Sequence, residues 1–223
     1  AIVNPLVRNE EILYQLNGMS MYSSTNTEEM WNFVKNMGFE NLENRFQYAG
    51  STEVMDMLLG IRYLFCRNTR TLHTAYKKIA ESQSFDLYEN PRALRSGYMV
   101  SDSVLDYAME GTDPLEVQNR LLSGIVGKRL YKMQTVSSEA VWAGTVDFDI
   151  SLKKGEHGYL YIPGTEPETV TINGQEQKSD YWNNNFLDLG TYDTDTVVHV
   201  TAETGMQEAV LGTYRESDLD EIY

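Results

Sequence analysis

LLGIRYLF at residues 58–65 and FDLYENP at residues 85–91 are the two segments that decide the fold of the first part of this chain. In the first segment a helix ends at Gly60 and an apolar strand follows, interrupted only by Arg62. In the second, apolar and polar residues alternate until Asn90 and the proline after it stop the strand. An almost wholly apolar strand is typical of the interior of a sheet, so we expect strand 61–66 to be central and 85–88 to be its partner.

Helices are predicted around these strands from capping residues and from apolar residues at helical spacing. In the first helix Glu29 is three residues after Asn26, which predicts a capping box. The third helix begins with an aspartate followed by proline, a favoured pair at a helix start. The predicted starts and ends are Asn26 to Gly38, Ser51 to Gly60 and Asp113 to Gly124. A further helical turn is predicted over residues 76–80.

After about residue 135 the pattern changes to short segments that are rich in β-branched and aromatic residues. The Asn173-Gly174 pair between two of them predicts a hairpin, since both residues tolerate the positive φ of a type I′ turn. We therefore predict an α+β protein, with a mixed α/β domain at 1–135 and an antiparallel, jelly-roll-like β-sandwich at 136–223. The predicted strands are 141–152, 157–162, 169–172, 186–189, 197–200 and 208–214.

Composition excludes several classes of protein. The 33 acidic and 18 basic residues give a formal charge of −15, which repels nucleic acid, so no nucleic-acid partner is expected. The lone cysteine, Cys66, rules out an internal disulfide and is predicted to be a buried apolar residue. No apolar window reaches the ~18 residues that a membrane span needs. The start at Ala1 fits a processed protein or, as we expect, an excised piece of a longer one.

The sequence contains no pattern that indicates catalysis, and we predict no catalytic residue, no metal and no cofactor. The three histidines, His73, His157 and His199, are isolated from one another, so structural roles are expected. Asp147 and Asp149 fall on one strand face, where a calcium site and a solvated surface are both open, and the solvated surface is favoured. Phosphate-binding loops and nucleophile elbows are absent from the sequence.

A single segment suggests ligand binding. Within DYWNNNF, residues 180–186, Tyr181 and Trp182 are followed by Asn183 and Asn184. Aromatic faces stack on sugar rings while amides bond hydroxyl groups, so these four residues are the candidate glycan site. The alternative is that Trp182 anchors the segment to the core.

Several short motifs resemble the C-terminal extracytoplasmic region of YfhO-type bacterial membrane proteins. The resemblance covers nearly the whole chain. The motifs are LNGMSMYSS (16–24), YAGS (48–51), LLGIRY (58–63), LYEN (87–90), DPLEVQN (113–119), LYIP (160–163) and VTING (170–174).

The resemblance implies a polytopic parent similar to C-type glycosyltransferases, which moves sugar from a polyprenyl-phosphate donor to a cell-envelope polymer such as lipoteichoic acid. In such enzymes the catalytic acid lies on an early loop between membrane helices, so no catalytic residue is carried over to this chain. The implied location is the extracytoplasmic face of the cell membrane. The implied partners are the transmembrane portion of the same polypeptide and a glycan or lipid-linked sugar. A substrate-facing role for Tyr22, Tyr48 or Tyr63 stays open.

Three hypotheses follow. The first is a soluble extracytoplasmic domain that assists glycan acceptor binding and has no activity of its own. The second, from a different class, is a secreted carbohydrate-binding or adhesion module, and a freestanding hydrolase is the third.

Overall fold

The computed structural model describes residues 1–3, 9–39, 41–42, 44–67, 76–107, 111, 113–138, 144–164, 167–177 and 185–223, with only the backbone of 3, 41 and 42. The fold is α+β, as predicted, and the chain divides into two compact units at residues 1–100 and 101–222. The predicted boundary at residues 135/136 stays a prediction.

The first unit contains three helices and seven strands in its described residues. The helices are α1 (Glu10–Leu13), α2 (Glu28–Asn36) and α3 (Glu53–Leu58). The strands are β1 (Ile2–Val3), β2 (Met21–Tyr22), β3 (Asn41–Leu42), β4 (Arg45–Phe46), β5 (Tyr63–Cys66), β6 (Lys77–Glu81) and β7 (Asp86–Glu89).

The main sheet of this unit has the strand order β1-β5-β7-β6, and β2-β4-β3 form a second, smaller sheet. The prediction that strand 61–66 is central is confirmed. Strand β5 pairs with a neighbour on each side, in parallel with β1 and antiparallel with β7. Cys66 itself is buried, as predicted. The helical turn predicted for 76–80 is wrong: Lys77–Glu81 forms β6, whose backbone pairs with β7 and leaves its side chains exposed.

Two predicted helix starts are wrong by one residue. Helix α2 is capped by Thr27, whose hydroxyl accepts a hydrogen bond from the Met30 amide, and not by Asn26. Helix α3 is capped by Thr52, because the hydroxyl of Ser51 is bonded to the carboxylate of Asp56. In both cases the threonine directly before the helix accepts a hydrogen bond from a backbone amide of the first turn.

The second unit contains the rest of the regular structure. Its helices are α4 (Pro114–Val126) and α5 (Glu216–Asp220), with a 3₁₀ segment at Asp102–Asp106. Its strands are β8 (Lys132–Ser137), β9 (Thr145–Leu152), β10 (Glu156–Tyr161), β11 (Val170–Ile172), β12 (Gln175–Glu176), β13 (Phe186–Thr191), β14 (Thr196–Glu203) and β15 (Glu208–Arg215). Strand β8 has no counterpart in the sequence prediction.

The strands of the second unit have jelly-roll topology, as predicted. Their two sheets have the orders β13-β10-β15-β8 and β12-β11-β14-β9. The pairs are nested: β8 pairs with β15, β9 with β14, β10 with β13 and β11 with β12, all antiparallel. The innermost pair turns at Asn173 and Gly174, whose φ values of 50° and 73° confirm the predicted type I′ turn.

The sandwich core lies between the two sheets. Along β9 the side chains alternate between solvent and core, with Phe148 and Ile150 fully enclosed. Leu160 and Leu211 from the other sheet belong to the same cluster of buried side chains. Because both sheets contribute to one apolar cluster, they form a true sandwich.

Helix α4 packs on the outer face of the sheet that contains β15. Gly212 leaves the space for Leu115, since a Cβ on this glycine would lie 2.9 Å from the Leu115 Cδ1. The predicted helix end at Gly124 is wrong. The helix continues to Val126 and ends at Gly127, whose φ of 71° is the left-handed conformation that stops a helix. Gly124 lies within the helix and faces the 3₁₀ segment, where a Cβ would be in ordinary contact with the Val104 Cα at 3.4 Å.

Asn119 connects α4 to the chain that leads into β8. Its Oδ1 accepts from the amides of Leu130 and Tyr131 at 2.9 and 2.8 Å, and its Nδ2 donates to the Tyr131 carbonyl at 2.9 Å. The Asn119 side chain is completely buried.

We expect Asn119→Ala to lower the free energy of unfolding by at least about 3 kcal/mol, because three buried backbone groups lose their partner. Urea denaturation measures the change, with the exposed Asn17→Ala as the control, which we expect to leave stability unchanged. A loss below about 1 kcal/mol for Asn119→Ala would show that α4 is held chiefly by apolar packing.

Candidate functional site

The predicted glycan site, Tyr181, Trp182, Asn183 and Asn184, lies outside the described residues. Its position along the chain is nevertheless defined by the strands on either side. The segment 178–184 connects β12, in one sheet, to β13, in the other. β12 and β13 are the first consecutive strands after the innermost hairpin that belong to different sheets.

Hydrogen bonds fix both flanks of this segment to the sandwich. On the first flank, the Gln177 amide donates to the Val170 carbonyl at 2.8 Å. On the second, Asn185 Nδ2 donates to the carbonyls of Ile162 and Gly164 at 2.8 and 3.3 Å, and the Ile162 amide donates to the Asn185 carbonyl. The residues on either side of the predicted binding segment are thus hydrogen-bonded to the strands and turns of the sandwich.

A different polar cluster, which the sequence analysis did not identify, lies in the first unit. The carboxylate of Asp56 in α3 accepts hydrogen bonds from the hydroxyls of Tyr48 and Tyr76, each at 2.5 Å to Oδ2, and of Ser51, at 2.6 Å to Oδ1. Asp56 is 1 % exposed. Its charge is therefore stabilised by three hydroxyl donors and not by water.

Both tyrosines of the cluster are held in their neutral form. Burial, followed by the negative charge of Asp56, raises the pKa of Tyr48 well above its ordinary value near 10, although part of the residue reaches the surface. The same two causes raise the pKa of Tyr76. The hydroxyls therefore act as hydrogen-bond donors and not as bases. The cluster has a structural role, because its hydrogen bonds connect helix α3 to the segment after β4 and to the residue before β6.

The three tyrosines for which a substrate-facing role was open, Tyr22, Tyr48 and Tyr63, differ in their surroundings. The Tyr48 hydroxyl is engaged with Asp56, whereas Tyr22 and Tyr63 are each 42 % exposed. The signal for the cluster was present in the sequence as a single carboxylate within the apolar run VMDML, residues 54–58. Its partners come from distant segments, so the run alone does not name them.

The histidines of the second unit each pair with an aspartate on a neighbouring strand. His157 is buried, with Nε2 2.8 Å from Asp188 Oδ1 and Nδ1 2.9 Å from Thr191 Oγ1. His199 is exposed, and its Nδ1 lies 2.6 Å from Asp149 Oδ1. No group of three potential metal ligands occurs among the described residues, which do not include His73.

The exposed face of β9 agrees with the predicted solvated surface. Asp149 is opposite His199, and Asp147 accepts a hydrogen bond from the hydroxyl of Thr201 directly across the ladder at 2.6 Å. Both carboxylates are exposed to solvent. Cross-strand pairs of this kind contribute modestly to sheet stability.

A jelly-roll sandwich joined to an α/β unit defines this chain as a two-unit α+β protein, and comparison with known families identifies it further. The model of the family described as bacterial membrane protein YfhO matches residues 1–211, which include most of both units. The chain therefore belongs to the YfhO family of bacterial membrane proteins. Searches among curated proteins and among solved structures give no match. Among the described residues, no helix combines the length and the apolar character that crossing a bilayer requires.

We expect the double variant Tyr48→Phe/Tyr76→Phe to lower the free energy of unfolding by about 3 kcal/mol at neutral pH, since Asp56 loses two hydrogen bonds. Above pH ~10 the unfolded chain releases both tyrosine protons while the folded chain keeps them. Stability of the unaltered protein should therefore fall as pH rises, by up to about 1.4 kcal/mol per pH unit for each tyrosine.

Urea denaturation at pH 8 and at about pH 11 tests both parts, and the double variant should show the smaller decline. Tyr223→Phe, at an exposed tyrosine, is the control and should behave as the unaltered chain does. Equal declines in the double variant and the unaltered protein would contradict the assignment.

Proposed function

We propose that this chain is an extracytoplasmic domain of a polytopic, glycosyltransferase-like membrane protein. In this proposal it assists glycan acceptor binding during glycosylation of a cell-envelope polymer, such as lipoteichoic acid, and catalyses no reaction alone. The observation that carries the proposal is the match of residues 1–211 to a family of bacterial membrane proteins. The sugar-transfer chemistry and the outer location come from the family resemblance in the sequence.

The sandwich supports the part of the proposal that concerns binding. The four candidate residues, Tyr181 to Asn184, follow Gln177 and precede Asn185, and both of these are bonded to regular structure. Tyrosine and tryptophan would supply stacking area for a sugar ring, and the asparagines would bond its hydroxyls.

Charge limits which part of an acceptor this domain can contact. The chain has a formal charge of −15, so a polymer with phosphate groups in its backbone is repelled at long range. Favourable contacts are therefore expected with neutral sugar rings and not with phosphates. Added salt screens the repulsion, and binding of an anionic polymer should strengthen as ionic strength rises.

We expect neutral oligosaccharides of the envelope polymer to bind the chain weakly, and we expect Trp182→Ala and Tyr181→Ala each to reduce the affinity about tenfold through lost stacking. Calorimetric or NMR titration measures the effect. The matched control is Tyr223→Ala, at an exposed tyrosine that is not part of the sandwich unit, which should bind normally. The glycan site would be excluded if the affinities of all four proteins were equal, or if none of them bound.

The location can be tested in the parent protein, with its other cysteines replaced. A cysteine introduced at Met99, which is 95 % exposed, should react with a membrane-impermeant maleimide in intact cells. The native Cys66 is buried and serves as the unreactive control. Reaction of the introduced cysteine only after cell lysis would place the domain on the cytoplasmic side and overturn the proposal.

A further inference from the structure

The short helix α1 buries its charged side chains, and the apolar side chains at its end are exposed. Its two glutamates, Glu10 and Glu11, are 3 % and 1 % exposed, whereas the next three residues, Ile12, Leu13 and Tyr14, are 60 %, 68 % and 58 % exposed. A surface helix normally buries its apolar side chains and exposes its charges. Here the charges lie inside and the apolar groups lie outside.

Specific partners hold both glutamates inside. The carboxylate of Glu11 accepts hydrogen bonds from the Ile2 amide at 2.6 Å and from the Ser20 amide at 2.8 Å. Glu10 forms a bidentate ion pair with Arg67, with both N–O distances at 2.7 Å. Gly18 is required beside Glu11, since a Cβ at this position would lie 2.0 Å from the carboxyl carbon.

The turn that presents the apolar side chains is closed by the backbone. The Leu13 amide donates to the Asn9 carbonyl at 3.1 Å, and the Leu16 amide donates to the Glu11 carbonyl at 2.8 Å. Gln15 adopts a left-handed conformation with φ of 56°, which ends the helix. Rotating the apolar groups inward would break the hydrogen bonds of buried carboxylates, and such a change is costly.

The sequence that forms this turn and the segment after it has no charged residue. From residue 12 to residue 27 the sequence contains no Asp, Glu, Lys, Arg or His, although the chain as a whole has a charge of −15. Leu16 and Tyr22, within this run, are 36 % and 42 % exposed. An exposed cluster of apolar side chains without charges on a strongly acidic protein indicates a surface that is covered in use.

We propose that this apolar cap, Ile12, Leu13, Tyr14 and Leu16, docks on a lipid bilayer and inserts at the boundary between headgroups and acyl chains. Aliphatic side chains with a tyrosine are the composition that suits this boundary, where a ring can keep its hydroxyl in the polar layer. With both glutamates withdrawn and paired, the cap brings no free anion to the membrane. The inference rests on membership of a membrane protein family and is independent of any glycan ligand.

The charges predict which lipids favour this docking. Insertion driven by apolar contact should occur on zwitterionic phosphatidylcholine vesicles and should be almost insensitive to salt. The remaining acidic surface is repelled by anionic phosphatidylglycerol, so binding to such vesicles should be weaker at low salt and should recover as salt screens the repulsion. Recognition of anionic headgroups would give the opposite salt dependence.

Co-sedimentation of the full 223-residue chain with phosphatidylcholine vesicles tests the proposal. We expect the unaltered chain to bind, and Ile12→Ser/Leu13→Ser to lower the partition coefficient about tenfold or more, because two inserted aliphatic groups are lost. The matched control is Met99→Ser/Leu105→Ser, which removes side chains that are 95 % and 85 % exposed. This control should bind as the unaltered chain does.

The possible results separate clearly. An equal loss in the cap variant and the control would indicate general apolar adhesion and overturn the proposal. Absence of vesicle binding by the unaltered chain, or self-association through the cap without lipid binding, would also overturn it. Circular dichroism confirms folding, and if the double variant is unfolded, the single Leu13→Ser replaces it. As a second measurement, brominated lipid should quench the tryptophan fluorescence of the Tyr14→Trp variant more strongly than that of the unaltered chain. Equal quenching of the two proteins would contradict insertion of the cap.

Discussion

Nested antiparallel pairing around the turn at Asn173 and Gly174 is the constraint on which the second unit depends. Each strand pair outside this turn encloses the one within it along the chain, from β11 with β12 at the turn to β8 with β15 outermost. A shift of one residue would move Phe148 and Ile150 to the solvent and the alternating Asp147 and Asp149 to the core. The same arrangement places β12 in one sheet and β13, the next strand along the chain, in the other.

The first unit contains several buried carboxylates that are bonded to polar partners. Asp56, Glu10 and Glu11 are each almost fully enclosed, and each is bonded to partners from outside its own helix. Such arrangements contribute little net stability compared with apolar packing, because removing charges from water is costly. What they provide here is orientation: Asp56 joins three segments, and the two glutamates hold the turn of α1 with its apolar side outward.

Two surfaces with different chemistry follow from this organisation. The second unit contains the segment for which a glycan is proposed, and the first contains an apolar cap for which a lipid surface is proposed. The acidic charge affects both, because it opposes anionic polymers and anionic lipids and leaves neutral sugars and zwitterionic lipids as the favoured contacts. Membership of the YfhO family of membrane proteins is the finding that connects them.

Features whose cause is local were determined by the sequence itself. The turn at Asn173 and Gly174 was predicted because its φ values are a property of two adjacent residues. The strand at 61–66 was predicted because an almost wholly apolar run is typical of the interior of a sheet. The two-part α+β organisation followed from the change in local composition. The composition of the candidate glycan segment was equally visible, although its geometry was not.

Features whose cause lies across the fold were decided by the tertiary structure. Gly124 looked like a helix stop, but the helix continues to Val126 and ends at Gly127, whose left-handed conformation the sequence alone did not single out. A helical turn was predicted at 76–80, but residues 77–81 form a strand because their backbone pairs with β7. Glu11 is buried because two amides distant from the helix reach its carboxylate, and no local pattern contains that information. A chain segment specifies its own dihedral preferences, whereas the burial of a charge depends on groups that meet only after the chain has folded.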